Sequence, residues 1–222
     1  MFPPFPDKLN QKEVKLIKHS SKELHVVSNG KMSMEQLADI LADIHPFVTA
    51  IHLREKQKSA RELYQAIQLL SKRNIPLSKI IINDRVDVAL VTGVAGVQLA
   101  YHSLETTTVK KCFPQLTVGY SIHSLEEGQQ SEQDRAEYVI YGHIFPSKSK
   151  PGLTPRGLDE LKRITSLLDI PVIAIGGITP KNTFQTMQAG ASGIAVMSGI
   201  LEALDPLSAV KAYKQALENG DE

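Results

Sequence analysis

The sequence predicts a single-domain α/β protein with the architecture of a (β/α)8 barrel, also called a TIM barrel. Three observations predict it: eight short apolar segments alternate with helix-like segments, the apolar segments are nearly continuous, and polar residues follow their ends. Continuous apolar runs are typical of parallel strands covered on both faces. Eight units in about 200 residues match the compact end of this fold's range. An open doubly wound sheet is the alternative, but no glycine-rich turn follows the first strand, where a dinucleotide-binding fold carries its fingerprint.

Each strand–helix unit can be placed along the chain. Ser33 is a suitable N-cap for the first helix, because its hydroxyl can accept a hydrogen bond from a free backbone amide. Val172-Ile-Ala-Ile and Gly193-Ile-Ala-Val illustrate the buried apolar runs. The predicted strands are 24–28, 47–54, 79–83, 96–100, 117–121, 137–142, 171–175 and 192–197. The predicted helices are 34–44, 60–72, 86–91, 106–113, 125–133, 157–168, 181–189 and a final helix from near 199 to near 218.

The first 22 residues differ from the rest of the chain. They are rich in Pro and Lys and have no strand pattern, so we expect residues 1–22 to form an arm outside the core and residues 23–222 to form the barrel.

Composition excludes several classes of function. The chain has 25 basic and 24 acidic residues and a net charge of +1, so no nucleic-acid or membrane-binding face is expected. No apolar run approaches the roughly 18–20 residues of a membrane span. Cys112 is the single cysteine, which rules out an intramolecular disulfide and favours a cytoplasmic location.

Two glycine-containing segments near the C-terminus predict a phosphate site. Gly176 and Gly177 follow the seventh strand, and Ser198 and Gly199 follow the eighth. Small residues between a strand and a helix leave backbone N–H groups free to bind an anion. In a (β/α)8 barrel these two turns are neighbours, so the sequence predicts a phosphate-binding cup.

Polar residues follow the other strands as well. Chemistry in such barrels takes place at the C-terminal ends of the strands, so these side chains are expected to converge. They include Arg54 and Lys56 after strand two, Asn83 at the end of strand three, Ser121 and His123 at strand five, and Lys150 in the loop after strand six. The dispersed histidines have no metal-ligand spacing, so no metal or other cofactor is predicted.

These strand-end motifs, in this order, resemble the thiamin phosphate synthase/TenI family. The matching segments are HLREK at 52–56, IIINDRVDVAL at 80–90, GYSIHS at 119–124, GHIFPSKSK at 142–150, IPVIAIGGIT at 170–179 and GIAVMSGI at 193–200. The resemblance extends from about Glu23 to Leu217. It implies a thiazole phosphate as the ligand and a homodimer as the assembly.

The resemblance implies a choice between two activities. Thiamin phosphate synthases use magnesium to join a pyrimidine pyrophosphate to a thiazole phosphate, whereas thiazole tautomerases aromatise a carboxythiazole phosphate by moving a proton. Where synthases have Gln and a Gly-Gln-Glu-Asp run, this chain has His52 and Ala100-Tyr-His-Ser103. Because Mg²⁺ prefers carboxylate and phosphate oxygens, the missing acid at Ser103 argues against the synthase.

The hypothesis from sequence is therefore a thiazole tautomerase, an isomerase without a metal. His123 matches the segment that holds the acid/base histidine, and imidazole, with an ordinary pKa of about 6.5, can take and return a proton near neutral pH. Arg54 would bind the substrate carboxylate, with Lys56, Asn83, Ser121 and Lys150 as further substrate contacts. The alternatives are the magnesium-dependent synthase and a non-catalytic regulatory protein. The synthase-like loop FPSKSK at 145–150 fits a synthase better than a tautomerase.

Overall fold

The computed structural model describes residues 22–147 and 149–218 and confirms the predicted barrel. Eight parallel strands follow one another in chain order, and β8 closes the barrel by pairing with β1. The predicted arm, residues 1–22, lies outside the described residues except for Lys22. The strands are β1 Glu23–Val27, β2 Ala50–Leu53, β3 Ile80–Asn83, β4 Gly96–Leu99, β5 Thr117–Ile122, β6 Tyr138–Gly142, β7 Val172–Ile175 and β8 Gly193–Val196.

Helices connect the strands on the outside of the barrel. The cap predicted at Ser33 is confirmed: its Oγ accepts a hydrogen bond from the Gln36 amide at 3.2 Å, and Gln36 returns one to the Ser33 amide. No helix within residues 22–147 and 149–218 is long and apolar enough to cross a membrane. The helices are α1 Met34–Ile44, α2 Ala60–Lys72, α3 Val86–Thr92, α4 Thr106–Cys112, α5 Leu125–Gln133, α6 Gly157–Leu167, α7 Pro180–Gln188, α8 Ser198–Leu201 and α9 Pro206–Glu218.

The chain differs from the sequence prediction at two elements. Strand two begins at Ala50 rather than 47, because the Pro46-containing segment His45–Phe47 forms a 3-10 turn. The single final helix is wrong: α8 ends at Leu201, and α9 begins at Pro206. The break occurs where Asp205 caps the new helix, accepting a hydrogen bond from the Ser208 amide at 3.1 Å.

The barrel wall separates two differently composed regions. Between strands and helices lies a large apolar core that includes Leu24, Leu41 and Ile51. Inside the barrel, a small apolar cluster of Val27, Ile140, Ile173 and Ala195 fills one part. Buried polar side chains also lie inside, namely His25, His52 and Gln98. Because side chains alternate along a strand, the next inward positions beyond them line the mouth of the barrel.

Candidate active site

The turn after β7 is built from two glycines that no other residue could replace without movement. Gly176 and Gly177 have φ of +97° and +67°, which L-residues with a side chain rarely adopt. A Cβ on Gly177 would lie 2.5 Å from the Pro146 carbonyl oxygen, and one on Gly176 would overlap the His143 side chain. The turn therefore packs directly against the loop after β6, and the Phe145 amide donates to the Gly176 carbonyl at 3.0 Å.

The turn after β8 is held by a residue that sequence reasoning missed. A Cβ on Gly199 would overlap the Tyr213 hydroxyl, so glycine is required for close packing of α9 under the turn. The Tyr213 hydroxyl donates to the Ile178 carbonyl at 2.9 Å, directly after the Gly176–Gly177 turn. A single buried tyrosine thus braces both turns of the predicted cup. Its apolar neighbours on α9 gave no sign of this role.

The two turns lie side by side, because Ile175 of β7 is in register with Ala195 of β8. Ser198 opens the short helix α8, so the first amides of that helix have no intrahelical acceptor. The sequence predicts free backbone amides after β7 as well, but at the start of α7, three positions after Gly177, side chains are bonded to the backbone. There Asn182 Oδ1 accepts from the Thr179 amide and its Nδ2 donates to the Gly177 carbonyl. The free amides of the cup therefore belong to the glycine turn and to α8, and not to the start of α7.

Basic side chains follow β2, which is separated from β8 by β1 alone. Arg54 follows β2 and is half-buried, and its backbone amide donates to Ser28 Oγ at 2.8 Å. Lys56 is exposed two residues later. Neither forms an ion pair with a carboxylate of residues 22–147 and 149–218. As far as these residues are concerned, both cations are available for an anionic ligand.

The end of β3 presents two oxygen ligands. Asn83 Oδ1 is buried and has no hydrogen-bond partner among the described residues. Asp84 is exposed and has φ of +67°, a conformation that Asp tolerates better than most residues, and its amide donates to the Gln98 carbonyl at 3.0 Å. The end of β3 therefore carries a buried amide oxygen and, one residue later, an exposed carboxylate.

The two predicted residues of β5 lie in different settings. Ser121 Oγ accepts a hydrogen bond from Gln98 Nε2 at 3.0 Å, which fixes the hydroxyl against β4. His123 is exposed just past the strand, and its Nδ1 lies 3.3 Å from the Gly142 carbonyl oxygen. Its amide donates to Glu127 Oε2 at 2.6 Å. The histidine ring is thus oriented toward the end of β6.

The loop after β6 folds back on itself. His143 is buried with Nε2 3.3 Å from the Leu153 carbonyl oxygen, and the Arg156 amide donates to the His143 carbonyl. Lys150 is half-buried, and its amide donates to the Ser147 carbonyl at 3.2 Å. His143 is engaged by this loop and His52 pairs with His25, so the histidines do not converge as a ligand set. Within the described part of the chain no three His, Cys, Asp or Glu residues are grouped to hold a metal ion.

The interior below the mouth contains residues that the strand-end patterns did not reveal. His25, Gln98 and Tyr138 face inward from β1, β4 and β6. Gln98 Oε1 and the Tyr138 hydroxyl are buried and without a hydrogen-bond partner among the described residues. Burial raises the pKa of Tyr138, with the negative charges of Glu23 and Glu137 adding to the effect, so its hydroxyl stays protonated.

Comparison with known proteins identifies the family. The family model described as Thiamine monophosphate synthase matches residues 24–200. A thiamine-phosphate synthase of Chlorobium phaeovibrioides is 42% identical over 178 residues, which are 78% of this chain and 84% of that protein. The thiamine-phosphate synthase of Pyrococcus furiosus is 32% identical over 197 residues, covering 88% of this chain and 95% of the relative.

Solved structures agree with the sequence relatives. A thiamine phosphate pyrophosphorylase from Pyrococcus furiosus superposes with a TM-score of 0.76 at 31% identity, covering 89% of this chain and 96% of that one. A 3-hexulose-6-phosphate synthase superposes with a TM-score of 0.69 at 16% identity, which shows the shared fold alone.

These findings correct the functional hypothesis. The relatives bear the name of the synthase and not of a tautomerase, so the prediction of a thiazole tautomerase, and of an isomerase, is wrong. The absence of an acid at Ser103 was given too much weight, because Mg²⁺ is often held by one carboxylate together with substrate phosphates. The resemblance at the level of the family is confirmed, and the chain belongs to the thiamine monophosphate synthase family.

Proposed function

We propose that the chain is a thiamine-phosphate synthase, which joins a pyrimidine pyrophosphate to a thiazole phosphate and releases pyrophosphate. The observation that carries this proposal is the 42% identity to a synthase over 178 residues, which includes most of the barrel. The cations and the glycine cup at the mouth supply what two anionic substrates require.

The two anionic groups would occupy different parts of the mouth. The thiazole phosphate suits the cup of Gly176, Gly177, Ser198 and Gly199, where backbone amides can surround it. The pyrophosphate suits Arg54, Lys56 and Lys150, since Arg54 and Lys56 have no carboxylate partner among the described residues. This division leaves the centre of the mouth for the two rings.

The end of β3 would supply two protein ligands for magnesium. Asp84 offers an exposed carboxylate and Asn83 an amide oxygen without a described partner, and the pyrophosphate itself would complete the ligands. When bound, the ion supplies positive charge to the leaving pyrophosphate. Asp84 and Asn83 would orient that group, while Arg54 and Lys56 hold its remaining oxygens.

His123 and Ser121 would contact the substrates between the two anion sites. The ring of His123 is oriented by the Gly142 carbonyl, and the hydroxyl of Ser121 is fixed by Gln98. In a synthase His123 would bind substrate. Its role as an acid and base was part of the tautomerase hypothesis, which the comparisons contradict.

Two further features belong to the proposal. The family resemblance favours a homodimer, which light scattering would measure. Cys112 is exposed and single, which suits a reducing cytoplasmic compartment.

The decisive experiment combines the chain with both substrates and magnesium and measures thiamine phosphate and released pyrophosphate. Lys56→Gln should raise KM for the pyrimidine pyrophosphate about tenfold, the effect of losing one charged contact. Lys72→Gln is the matched control, since Lys72 is an exposed lysine at the end of α2. Failure to form product at high enzyme concentration would refute the proposed function.

A further inference from the structure

Three polar side chains are connected by hydrogen bonds on the interior wall of the barrel, below the proposed pyrophosphate site. Glu23 Oε2 lies 2.7 Å from His25 Nε2, and His25 Nδ1 lies 3.0 Å from His52 Nε2. Only 2% of His25 and 1% of His52 are exposed. The proposed reaction does not use these three side chains. The contact between two buried histidines therefore calls for an explanation of its own.

With both rings neutral, the hydrogen bonds fix the positions of the ring protons. The Glu23 carboxylate accepts a hydrogen bond from His25 Nε2, so in neutral His25 the Nδ1 atom is an acceptor. His52 Nε2 must then be the donor to His25 Nδ1. Neutral His52 therefore carries its proton on Nε2, and its Nδ1 is the atom that would receive a second proton.

The surroundings of His52 determine what that second proton would cost. Its ring contacts His25 at 5.1 Å and lies edge-on to Tyr138 at 6.4 Å, measured between ring centroids. Burial lowers the pKa of His52 well below its ordinary value, and repulsion from a protonated His25 ring lowers it further. Among the described residues, the titratable side chains in contact with the pair are Glu23 from β1 and Tyr138 from β6, and Arg54 follows β2 two positions after His52. The other strands contribute only uncharged residues at this level, namely Ile81, Gln98, Gly119, Ile173 and Ala195.

The histidine pair is coupled to the mouth through β2. Arg54 follows His52 by two positions, directly after the end of β2, and so lies about 7 Å beyond His52 along the direction of the strand. The His52 carbonyl accepts from the Ser28 amide, and Ser28 Oγ accepts from the Arg54 amide. The hydrogen bond from His52 to His25 therefore fixes the strand that presents Arg54.

We propose that His52 is a positioning residue that binds a proton together with the anionic ligand at Arg54. A protonated His52 is opposed by burial. A pyrophosphate at Arg54 brings negative charge toward the ring, so anion binding favours protonation, and by linkage protonation strengthens anion binding by the same factor. This inference rests on the proposed function for the location of the anion.

The expected size of the coupling is measurable. A unit charge about 10 Å away in a medium of effective dielectric constant about 20 shifts a pKa by about one unit. Binding of inorganic pyrophosphate, without magnesium, should therefore raise the pKa of His52 by about one unit in an NMR titration of its imidazole. Affinity for pyrophosphate should increase several-fold as the pH falls through the acidic range in which His52 takes up its proton.

Calorimetry in a pair of buffers with different ionisation enthalpies gives the independent measurement. The wild-type chain should take up a fraction of a proton per pyrophosphate bound, beyond the ligand's own contribution. His52→Gln, whose amide can still donate to His25 Nδ1, should abolish that excess, because Gln cannot take a proton. His45→Gln is the matched control, since His45 lies before β2 at the other end of the barrel.

The outcomes separate the two proposals. A His52 pKa that is the same with and without bound pyrophosphate, or an equal proton uptake in His52→Gln and wild type, overturns the coupling and leaves the synthase proposal intact. If pyrophosphate does not bind the wild-type chain, the anion site at Arg54 is wrong and the coupling is wrong with it. The wild-type NMR titration remains decisive even if His52→Gln does not fold.

Discussion

Removing one hydroxyl should have opposite effects at two buried tyrosines. Tyr213 is 3% exposed and its hydroxyl donates to the Ile178 carbonyl at 2.9 Å, beside the glycine turn. Tyr138 carries an equally buried hydroxyl that has no partner among the described residues. Tyr213→Phe removes a hydrogen bond and leaves a buried carbonyl unsatisfied, whereas Tyr138→Phe removes a polar group that burial has already penalised.

The magnitudes follow from these contacts. Tyr213→Phe should lower the free energy of unfolding by about 1–2 kcal/mol, and Tyr138→Phe should leave it unchanged or raise it by about 1 kcal/mol. For a chain of this length, 1 kcal/mol corresponds to a change in Tm of about 2–4 °C. Because Ile178 follows Gly177 directly, Tyr213→Phe should also weaken binding of the thiazole phosphate several-fold.

Thermal and urea unfolding of the paired variants provide the assay, with ligand affinity measured on the same samples. Each substitution removes one oxygen from a tyrosine, so volume and helix or strand propensity change little. An equal loss of stability in both variants would refute the reasoning, since it would mean that the Tyr138 hydroxyl is as well satisfied as that of Tyr213.

Further predictions concern pH, the glycine turn and the metal. The pKa of His52 is lower in the folded state, so below about pH 6.5 the unfolded chain binds more protons than the folded one. As the pH decreases below that value, the free energy of unfolding should therefore decrease, by at most about 1.4 kcal/mol per pH unit. His52→Gln should flatten that slope, and urea unfolding from pH 7 to 5 at about unit intervals measures it. Gly177→Ala should weaken phosphate binding about tenfold or more through its 2.5 Å approach to Pro146, while Gly152→Ala, also at positive φ but with nothing within 4 Å, should not. Asp84→Asn should raise the magnesium concentration needed for half-maximal rate, and an unchanged requirement in that titration would exclude Asp84 as a ligand.

The order of elements was readable from the chain because local signals agree with the fold. The Ser33 cap and the apolar runs of β7 and β8 gave correct elements. The final helix was predicted as one because its apolar spacing continues across the break. Asp205-Pro206 is a cap followed by Pro at the first helical position, a pattern that indicates the start of a new helix. The sequence prediction did not make use of it.

The family could also be predicted from strand-end motifs, but the reaction could not. The choice between synthase and tautomerase depended on His52, Ser103 and His123. Each residue was interpreted from its side-chain chemistry alone, because the sequence does not show which residues surround it. His52 is turned toward His25 inside the barrel, Ser103 Oγ accepts from the Ala100 amide at 3.0 Å, and His123 lies beside the Gly142 carbonyl. None of these contacts is visible in a motif, and similarity to synthases corrected the choice.

The sequence by itself determined the barrel, its strand order and the two glycine turns, because periodicity and backbone freedom act over a few residues. Only the tertiary structure decided which polar groups meet. Tyr213 reaches back 35 positions to Ile178, and His25 meets His52 across 27 positions. Such pairs arise from the closure of the barrel and from the packing of α9 against it. Long-range contacts of this kind, and not the local pattern, set the environment in which each side chain at the mouth and in the barrel interior acts.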